Sequence, residues 1–174
     1  MSKSFKILIG LLFAFNIISA QTSREIKTYK NKNYSIDYFE PWELNNTGQN
    51  RTEFFFYTPL SDKNDRFNEN INLLIQNQKG RNITLDEYVK ISEDQISTVV
   101  VNGKVIKSER VLGKNYPYHK LEFSGSQGDF NLHFLQYYWL IDEQSYILTF
   151  TAESENYETY VKDAEIILQS FKLD

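Results

Sequence analysis

The sequence predicts an α+β fold: an antiparallel β-sheet of about six to seven strands flanked by two main α-helices, in an α/β/α sandwich. Two segments carry apolar residues at helical spacing, several others have the composition of strands, and turn-forming residues separate neighbouring segments. One of the extended segments, FNLHFLQYYWLI at 130–141, is apolar on both faces. A strand of that kind is usually covered on both sides, and the two helices are available to cover it.

The first twenty residues have the layout of a secretory signal peptide. Two lysines precede an apolar run at 7–15, and a small-residue cleavage site follows at Ala20-Gln21. The apolar run is shorter than the roughly 20 residues that span a bilayer. We therefore expect an exported protein, periplasmic or secreted, with residues 1–20 removed and no transmembrane span afterwards. An uncleaved N-terminal anchor is the alternative.

Composition excludes several classes of function. The formal net charge of −4 becomes −6 without the first twenty residues, which contain two lysines and no acid. So acidic a chain has no general attraction to nucleic acid, and no nucleic-acid partner is expected. The absence of cysteine excludes a lipoprotein anchor, a disulfide framework and thiol catalysis. An exported domain without disulfides fits a bacterial envelope or exterior.

After a polar segment at 21–33, which we expect to be flexible, one domain is predicted over 34–174. Its early strands are short and separated by polar loops. Tyr34 to Phe39 alternates and ends before Pro41, which cannot donate to a β-ladder. Further strands are predicted at 52–57 and 71–75. A loop at 45–52 precedes the first of them, and a loop at 60–70 separates the two.

The segment at 85–101 is predicted to be a helix. Thr84 and Glu87 have the spacing of a capping box, in which each side chain accepts a hydrogen bond from the backbone of the other residue. Asn102-Gly103 is predicted to end the helix in a left-handed conformation. One stripe of the helix is apolar and consists of Leu85, Tyr88, Val89, Ile96, Val99 and Val100.

The second half of the chain is predicted to be a meander of strands closed by a helix. Strands are expected at 104–112, 116–124, 130–141 and 146–152, joined by turns at 125–128 and 142–145. A second amphipathic helix begins near Ser154 and continues to the end of the chain. The apolar run at 130–152 is not a membrane span, because its polar groups and its turn would lie in hydrocarbon.

This order of elements resembles the PsbP-like fold, which includes the PsbP family, the bacterial DcrB-like periplasmic proteins and a small Ran-binding nuclear protein. The matching features are YSIDYFEPWEL, the loop and strand DRFNENINLLIQ, the helix at 85–101, the meander, and a terminal helix closing on IILQSFKL. The resemblance covers about 34–173. It implies a sheet flanked by helices and a non-enzymatic binding or accessory role, and it implies no catalytic residues. Photosystem function is not carried over.

His119 and His133 are the only histidines and lie on neighbouring predicted strands. A two-residue turn at Ser126-Gln127 would point the imidazoles to opposite sides of the sheet. A three-residue loop would instead pair His119 directly with His133, because a slip of one residue reverses the faces. In that register the two histidines, with Glu122, are weak candidates for a metal site such as zinc. The alternative is that both are simply packed or exposed histidines.

Five aromatic residues are the candidates for ligand binding: Trp42, Tyr116, Tyr118, Tyr137 and Trp139. An apolar pocket with a few polar tips is a common ligand site. The alternative is that these rings fill the core, with their hydroxyls at its rim.

We expect a non-enzymatic binding or accessory protein whose partner is an envelope or extracellular protein. The partner would bind at the sheet edge or in a groove between sheet and helix. The alternative is a carrier of a small apolar ligand, held between the helix at 85–101 and the aromatic strands. The chain has no nucleophile elbow, phosphate-binding loop or dinucleotide motif, so neither catalysis nor a cofactor is expected.

Overall fold

The computed structural model describes residues 24–174, so the predicted signal peptide lies outside the described residues. Ten strands and two α-helices follow one another within these residues, with one short 3₁₀ turn at Gln49–Arg51. Their bounds are β1 Ile26–Lys30, β2 Tyr34–Phe39, β3 Glu43–Asn45, β4 Phe54–Tyr57, β5 Asn70–Asn77, α1 Leu85–Val99, β6 Val101–Val111, β7 Tyr118–Gln127, β8 Phe130–Ile141, β9 Gln144–Glu153, α2 Tyr157–Gln169 and β10 Lys172–Leu173.

Seven strands form the main sheet, in the order β3-β4-β5-β9-β8-β7-β6, and every neighbouring pair is antiparallel. A separate three-stranded sheet has β2 at its centre, between β1 and β10. The prediction of an antiparallel sheet flanked by two helices is therefore confirmed. The additional small sheet was not predicted.

The main sheet is covered on both faces, as the two-sided apolar character of β8 predicts. Tyr138 lies in a core beneath α1, together with Leu121 of β7 and Val89 of the helix. Its neighbours Tyr137 and Trp139 lie in a second, larger core on the opposite face, which α2 and the three-stranded sheet cover. Adjacent residues of one strand thus fill two different cores, because strand side chains alternate between faces.

The helix α1 begins as predicted and ends two residues earlier. The Thr84 hydroxyl accepts from the Glu87 amide at 3.2 Å, and the Glu87 carboxylate accepts from the Thr84 amide at 2.8 Å. The predicted stop at Asn102-Gly103 is wrong: Val100 is already extended, and Asn102, with φ of 54°, lies inside β6 where its pairing with β7 shifts register.

Three short strands were not predicted. The segment expected to be flexible at 21–33 contains β1, which pairs with β2 from Ile26↔Phe39 to Lys30↔Ser35. β3 pairs with β4, and the end of the chain forms β10 beside β2 instead of continuing as helix. All three depend on a partner distant in sequence, so their own residues carry little signal. Neither α1 nor α2, the two α-helices of residues 24–174, has the length and apolar character that crossing a membrane requires.

Both predicted registers of the β7–β8 hairpin are wrong, because β7 continues to Gln127 and the turn lies at Gly128-Asp129. Gly125 is not a turn residue: a Cβ there would lie 2.4 Å from Cγ1 of Val100. The glycine is therefore needed for packing below α1. The observed register pairs His119 with Tyr138 and His133 with Ser124, which places the two histidines on opposite faces of the sheet.

Candidate functional site

A cavity of about 500 Å³ opens on the face of the main sheet that α2 covers, and we call it the aromatic cavity. Tyr118, Tyr137 and Trp139 of β7 and β8 form its floor. One wall is the β6–β7 loop at 112–116, and the other is the end of α2 with β10, at 168–173. The site therefore lies where a loop and the last two elements of the chain meet over β7 and β8, near the β6 edge of the sheet.

The floor consists of aromatic rings in contact with one another. Tyr118 stacks on Tyr137 with ring centroids 5.0 Å apart and on Trp139 at 5.3 Å. Phe171, from the segment after α2, packs on Trp139 at 5.1 Å. Tyr137 and Trp139 are two residues apart on β8, so they point to the same face. These contacts make the floor a continuous apolar surface held rigid by the sheet.

The β6–β7 loop closes tightly on itself at the mouth of the cavity. A Cβ at Gly113 would lie 2.2 Å from the backbone oxygen of Tyr116, so only glycine permits this close approach. Leu112 and Tyr116 are exposed beside it. The loop therefore presents apolar side chains to solvent at the entrance, where they are available to cover a ligand.

The hydroxyl of Tyr137 is a buried polar group without a hydrogen-bond partner among residues 24–174. Only 1% of the residue is exposed. Burial raises the pKa of this phenol strongly, and the neighbouring Tyr118 raises it further, so the hydroxyl keeps its proton. The Gln169 amide lies close enough to influence its ionisation, but the pair does not have hydrogen-bond geometry. A protonated donor is thus left unpaired beneath the floor of the cavity, where its oxygen has almost no accessible surface.

The charged residues that line the aromatic cavity are both lysines, Lys114 and Lys172. Neither forms an ion pair within residues 24–174. Burial is the main cause of the raised pKa of Tyr118, and the two carboxylates that add to it are already paired: Glu109 accepts from Lys107 at 2.7 Å, and Glu165 accepts from Lys120 at 2.5 Å. The mouth of the cavity therefore carries uncompensated positive charge.

Four of the five aromatic candidates line this cavity: Tyr116, Tyr118, Tyr137 and Trp139. The fifth, Trp42, is 2% exposed and packs edge-on against Phe150 and Tyr160 in the core, at 6.1 and 6.4 Å. The predicted position of the pocket, beside the helix at 85–101, is corrected: the cavity lies on the opposite face of the sheet. The apolar stripe of α1 packs directly onto β7 and β8, on the face of the sheet opposite the aromatic cavity.

Sequence reasoning missed the wall formed by Leu168, Phe171 and Lys172. The terminal segment IILQSFKL was interpreted as helix to its end, whereas α2 stops at Gln169 and β10 begins at Lys172. No residue between them is a proline or glycine that would have signalled the break. The lysines of the mouth were missed because they lie on the two segments whose conformation depends on tertiary contacts.

Only two of the three candidate metal residues, His133 and Glu122, come together. His133 lies 2.9 Å from the carboxylate of Glu122 and stacks on Tyr157 of α2, with ring centroids 3.6 Å apart. His119 lies on the other face, with Nε2 2.7 Å from the Ser108 hydroxyl and Nδ1 buried without a partner. Across residues 24–174, no group of three or more metal-ligating side chains is assembled. The pair of His133 and Glu122 accordingly joins the neighbouring strands β8 and β7, and the ring of His133 contacts α2 through Tyr157.

No protein-family model and no curated protein matches the chain. Several solved structures share its architecture, among them the following three. Cyanobacterial PsbP (CyanoP) from Synechocystis sp. PCC 6803 has a TM-score of 0.63 at 16% identity, over 95% of this chain and 99% of that one. LpqN, involved in cell envelope biogenesis of Mycobacterium tuberculosis, has a TM-score of 0.63 at 10% identity, over 87% and 91%.

The third structure is PA94 of Pseudomonas aeruginosa, a protein of unknown function, with a TM-score of 0.60 at 11% identity, over 83% of this chain and 94% of that one. Identities this low carry no information about activity, while near-complete coverage of both chains describes the same arrangement of strands and helices. The chain therefore has the PsbP-like fold.

Proposed function

We propose that this chain is an exported, non-enzymatic binding protein that holds a small apolar ligand in the aromatic cavity. The observation that carries the proposal is the cavity itself, with its floor of Tyr118, Tyr137 and Trp139. Ligand sites typically have volumes of about 300–1,000 Å³, apolar walls and a few polar groups. A cavity of about 500 Å³ with aromatic walls and a few polar lining residues, such as Asn115 and Gln169, fits that description.

The binding of an apolar ligand to the aromatic floor is also favoured energetically. Apolar surface removed from water contributes about 25 cal/mol per Å². The stacked rings form that surface before any ligand arrives, so little ordering is required on binding. This preorganisation favours a binding role over a purely structural one.

The envelope or the exterior is the proposed site of action. The signal-peptide layout of residues 1–20 and the absence of cysteine support export. LpqN, which shares the fold, is described as involved in cell envelope biogenesis. An accessory role in that compartment is consistent with both observations.

Contact quenching of tryptophan fluorescence tests the proposal, because the two tryptophans lie in different places. Trp139 lines the cavity and Trp42 is enclosed in the core. A Trp42→Phe variant reports on the cavity, and a Trp139→Phe variant is its matched control. We expect bromo-octanol, an uncharged apolar quencher, to quench the first saturably and the second only weakly. Equal, non-saturating quenching of both variants would rule out binding in the cavity.

A protein partner at the edge strand β6 is the second candidate function. Val99, Val101 and Ile106 are exposed where α1 passes into β6, and β6 has no neighbour on its outer side among residues 24–174. A photo-crosslinking residue at position 106, compared with one at Lys63 in an exposed loop, tests this candidate in the producing cell. A discrete product from position 106 alone would support it, and its absence would leave only the cavity.

A further inference from the structure

We propose that the ligand of the aromatic cavity is an amphipathic organic anion, with its apolar body on the aromatic floor and its acidic head at the mouth between Lys114 and Lys172. This inference rests on the proposed function and adds the chemical class of the ligand. It follows from the two lining charges, which are both positive, and from the buried hydroxyl of Tyr137.

The first observation is the charge at the mouth. Both lining residues that carry charge are lysines, and both are exposed. The nearby Lys107 and Lys120 are paired with Glu109 and Glu165, so those carboxylates cannot compensate the two mouth lysines as well. A cationic head would meet two positive charges, whereas an anionic head would complete an ion pair with each lysine.

The second observation is the Tyr137 hydroxyl, which is buried and unpaired within residues 24–174. The phenol keeps its proton and so remains a hydrogen-bond donor, but its oxygen lies beneath the cavity floor, so a ligand reaches it only by displacing part of that floor. An unpaired buried polar group is unfavourable until a partner reaches it. An oxygen acceptor on the ligand would satisfy the group, which again favours a ligand rich in acceptor oxygens.

The whole chain is acidic, so this local positive charge is not a consequence of composition. The net charge is −4 over all residues, yet the residues that line the aromatic cavity include no Asp or Glu. A diffuse attraction to anions is absent, and recognition would depend on the two lysines at short range. Binding should therefore weaken only modestly with added salt, because a contact ion pair lies well within the distance of about 10 Å beyond which exposed charges are screened at 0.1 M ionic strength.

Two kinds of apolar body have the required chemistry: an alkyl chain and an aromatic ring system. The stacked floor of Tyr118 and Trp139 can accept either one, by van der Waals contact or by ring stacking. The shared feature is the anionic head, and the experiment separates the two bodies by testing both.

The test is a titration of the Trp42→Phe protein, followed by Trp139 fluorescence, with two matched probe series. One series is decanoate, decanol and decylamine; the other is naphthoate and naphthylmethanol. We expect each acid to bind about tenfold more tightly than its alcohol and decylamine to bind most weakly. Each exposed ion pair contributes about two- to fivefold in affinity, so two pairs account for that ratio. Tighter binding of naphthoate than decanoate would identify the body as aromatic.

The variant Lys114→Gln/Lys172→Gln should reduce the preference for acid over alcohol to about onefold, leaving alcohol affinity unchanged. Its control is Lys63→Gln/Lys79→Gln, which removes two exposed, unpaired lysines away from the cavity. If acid and alcohol bind with equal affinity to the protein that retains Lys114 and Lys172, the anionic class is wrong while the cavity remains a ligand site. If no probe binds, the proposed function itself fails.

Discussion

The hydroxyl of Tyr137 provides the first test at the scale of single residues. Tyr137 and Tyr138 are neighbours on β8 that point to opposite faces, and only the second has a partner: its hydroxyl donates to Gln136. We expect Tyr137→Phe to leave the free energy of unfolding unchanged or to raise it by about 1 kcal/mol, because an unpaired buried donor is removed. Tyr138→Phe should lower it by about 1 kcal/mol, because a hydrogen bond is lost. Urea denaturation without ligand measures both.

A loss of more than about 1 kcal/mol in Tyr137→Phe would show that the hydroxyl already has a partner within the folded chain. The donor available for a ligand would then not exist. The affinity for decanoate in the same variant is an independent readout, since only a role in binding lowers it without lowering stability.

His119 makes stability depend on pH. Burial lowers its pKa below the ordinary value of 6.5, and Arg110 lowers it further, while Glu93 and Asp86 partly offset this effect. Its Nδ1 is buried without an acceptor, which disfavours the protonated ring. The unfolded chain therefore binds more protons just below pH 6.5, so the free energy of unfolding falls as the pH is lowered through that range.

We expect His119→Gln to lose less stability than the unmodified protein between about pH 7.5 and about pH 5.5, where an ordinary histidine changes its charge. Urea denaturation at several pH values gives the slope. The comparison is made in a His133→Gln background, so that the second histidine does not contribute. An unchanged slope would mean that His119 ionises in the folded protein as it does in the unfolded chain.

Individual residues were predictable where strand periodicity decides their direction. Tyr137 and Trp139 share a face because they are two residues apart, and Tyr118 joins them through the antiparallel register. Trp42 follows a turn after β2 instead, and no periodic pattern indicates where such a residue points. The position of each histidine depended on the register of one hairpin, which its turn composition did not determine.

At the scale of elements, the capping box of α1 can be tested directly. Thr84→Ala removes the hydroxyl that accepts from the Glu87 amide, and we expect it to lower the free energy of unfolding by about 1 kcal/mol. Thr84→Ser retains an oxygen in the same position and should retain most of the stability. Thermal and urea denaturation measure both variants. Equal losses in the two would indicate that the threonine methyl group, rather than the cap, stabilises this end of the helix.

The elements found from sequence are those whose own residues specify them. The helix α1 has a cap and an apolar stripe within its own segment, and β8 has twelve residues of strand composition. The strands β1, β3 and β10 have five, three and two residues, and they exist because β2 and β4 offer backbone partners. A short strand that depends on distant pairing is not visible in its own composition.

At the scale of the whole molecule, the cavity depends on the way the small sheet closes over the large one. The two-sided apolar character of β8 was sufficient to predict layers above and below the main sheet. It was not sufficient to predict that one layer combines α2 with β1, β2 and β10. One wall of the aromatic cavity comes from that combined layer and the other from the β6–β7 loop, so a candidate floor could be identified from sequence while its walls could not.

Phe171 is the side chain that joins these layers. Its ring lies 5.5 Å from that of Tyr34 in the small sheet and 5.1 Å from that of Trp139 in the main sheet, and it lines the aromatic cavity. We expect Phe171→Ala to lower the free energy of unfolding by about 3 kcal/mol, because a large buried ring is removed between two layers. Phe67→Ala is the control, because that ring is only half-buried and contacts Phe130 beside a loop.

The same variant distinguishes one cooperative molecule from two separately stable layers. If Phe171 joins the layers, the loss of stability affects the whole molecule. Trp139 fluorescence and far-ultraviolet circular dichroism should then report a single transition at a lower urea concentration. Decanol should also bind more weakly than to the unmodified protein. Two separated transitions would mean that the small sheet opens while the main sheet persists. In that case the cavity lies in a hinge region and is not a preformed site. Neither a preorganised ligand site nor a single cooperative molecule would then be supported.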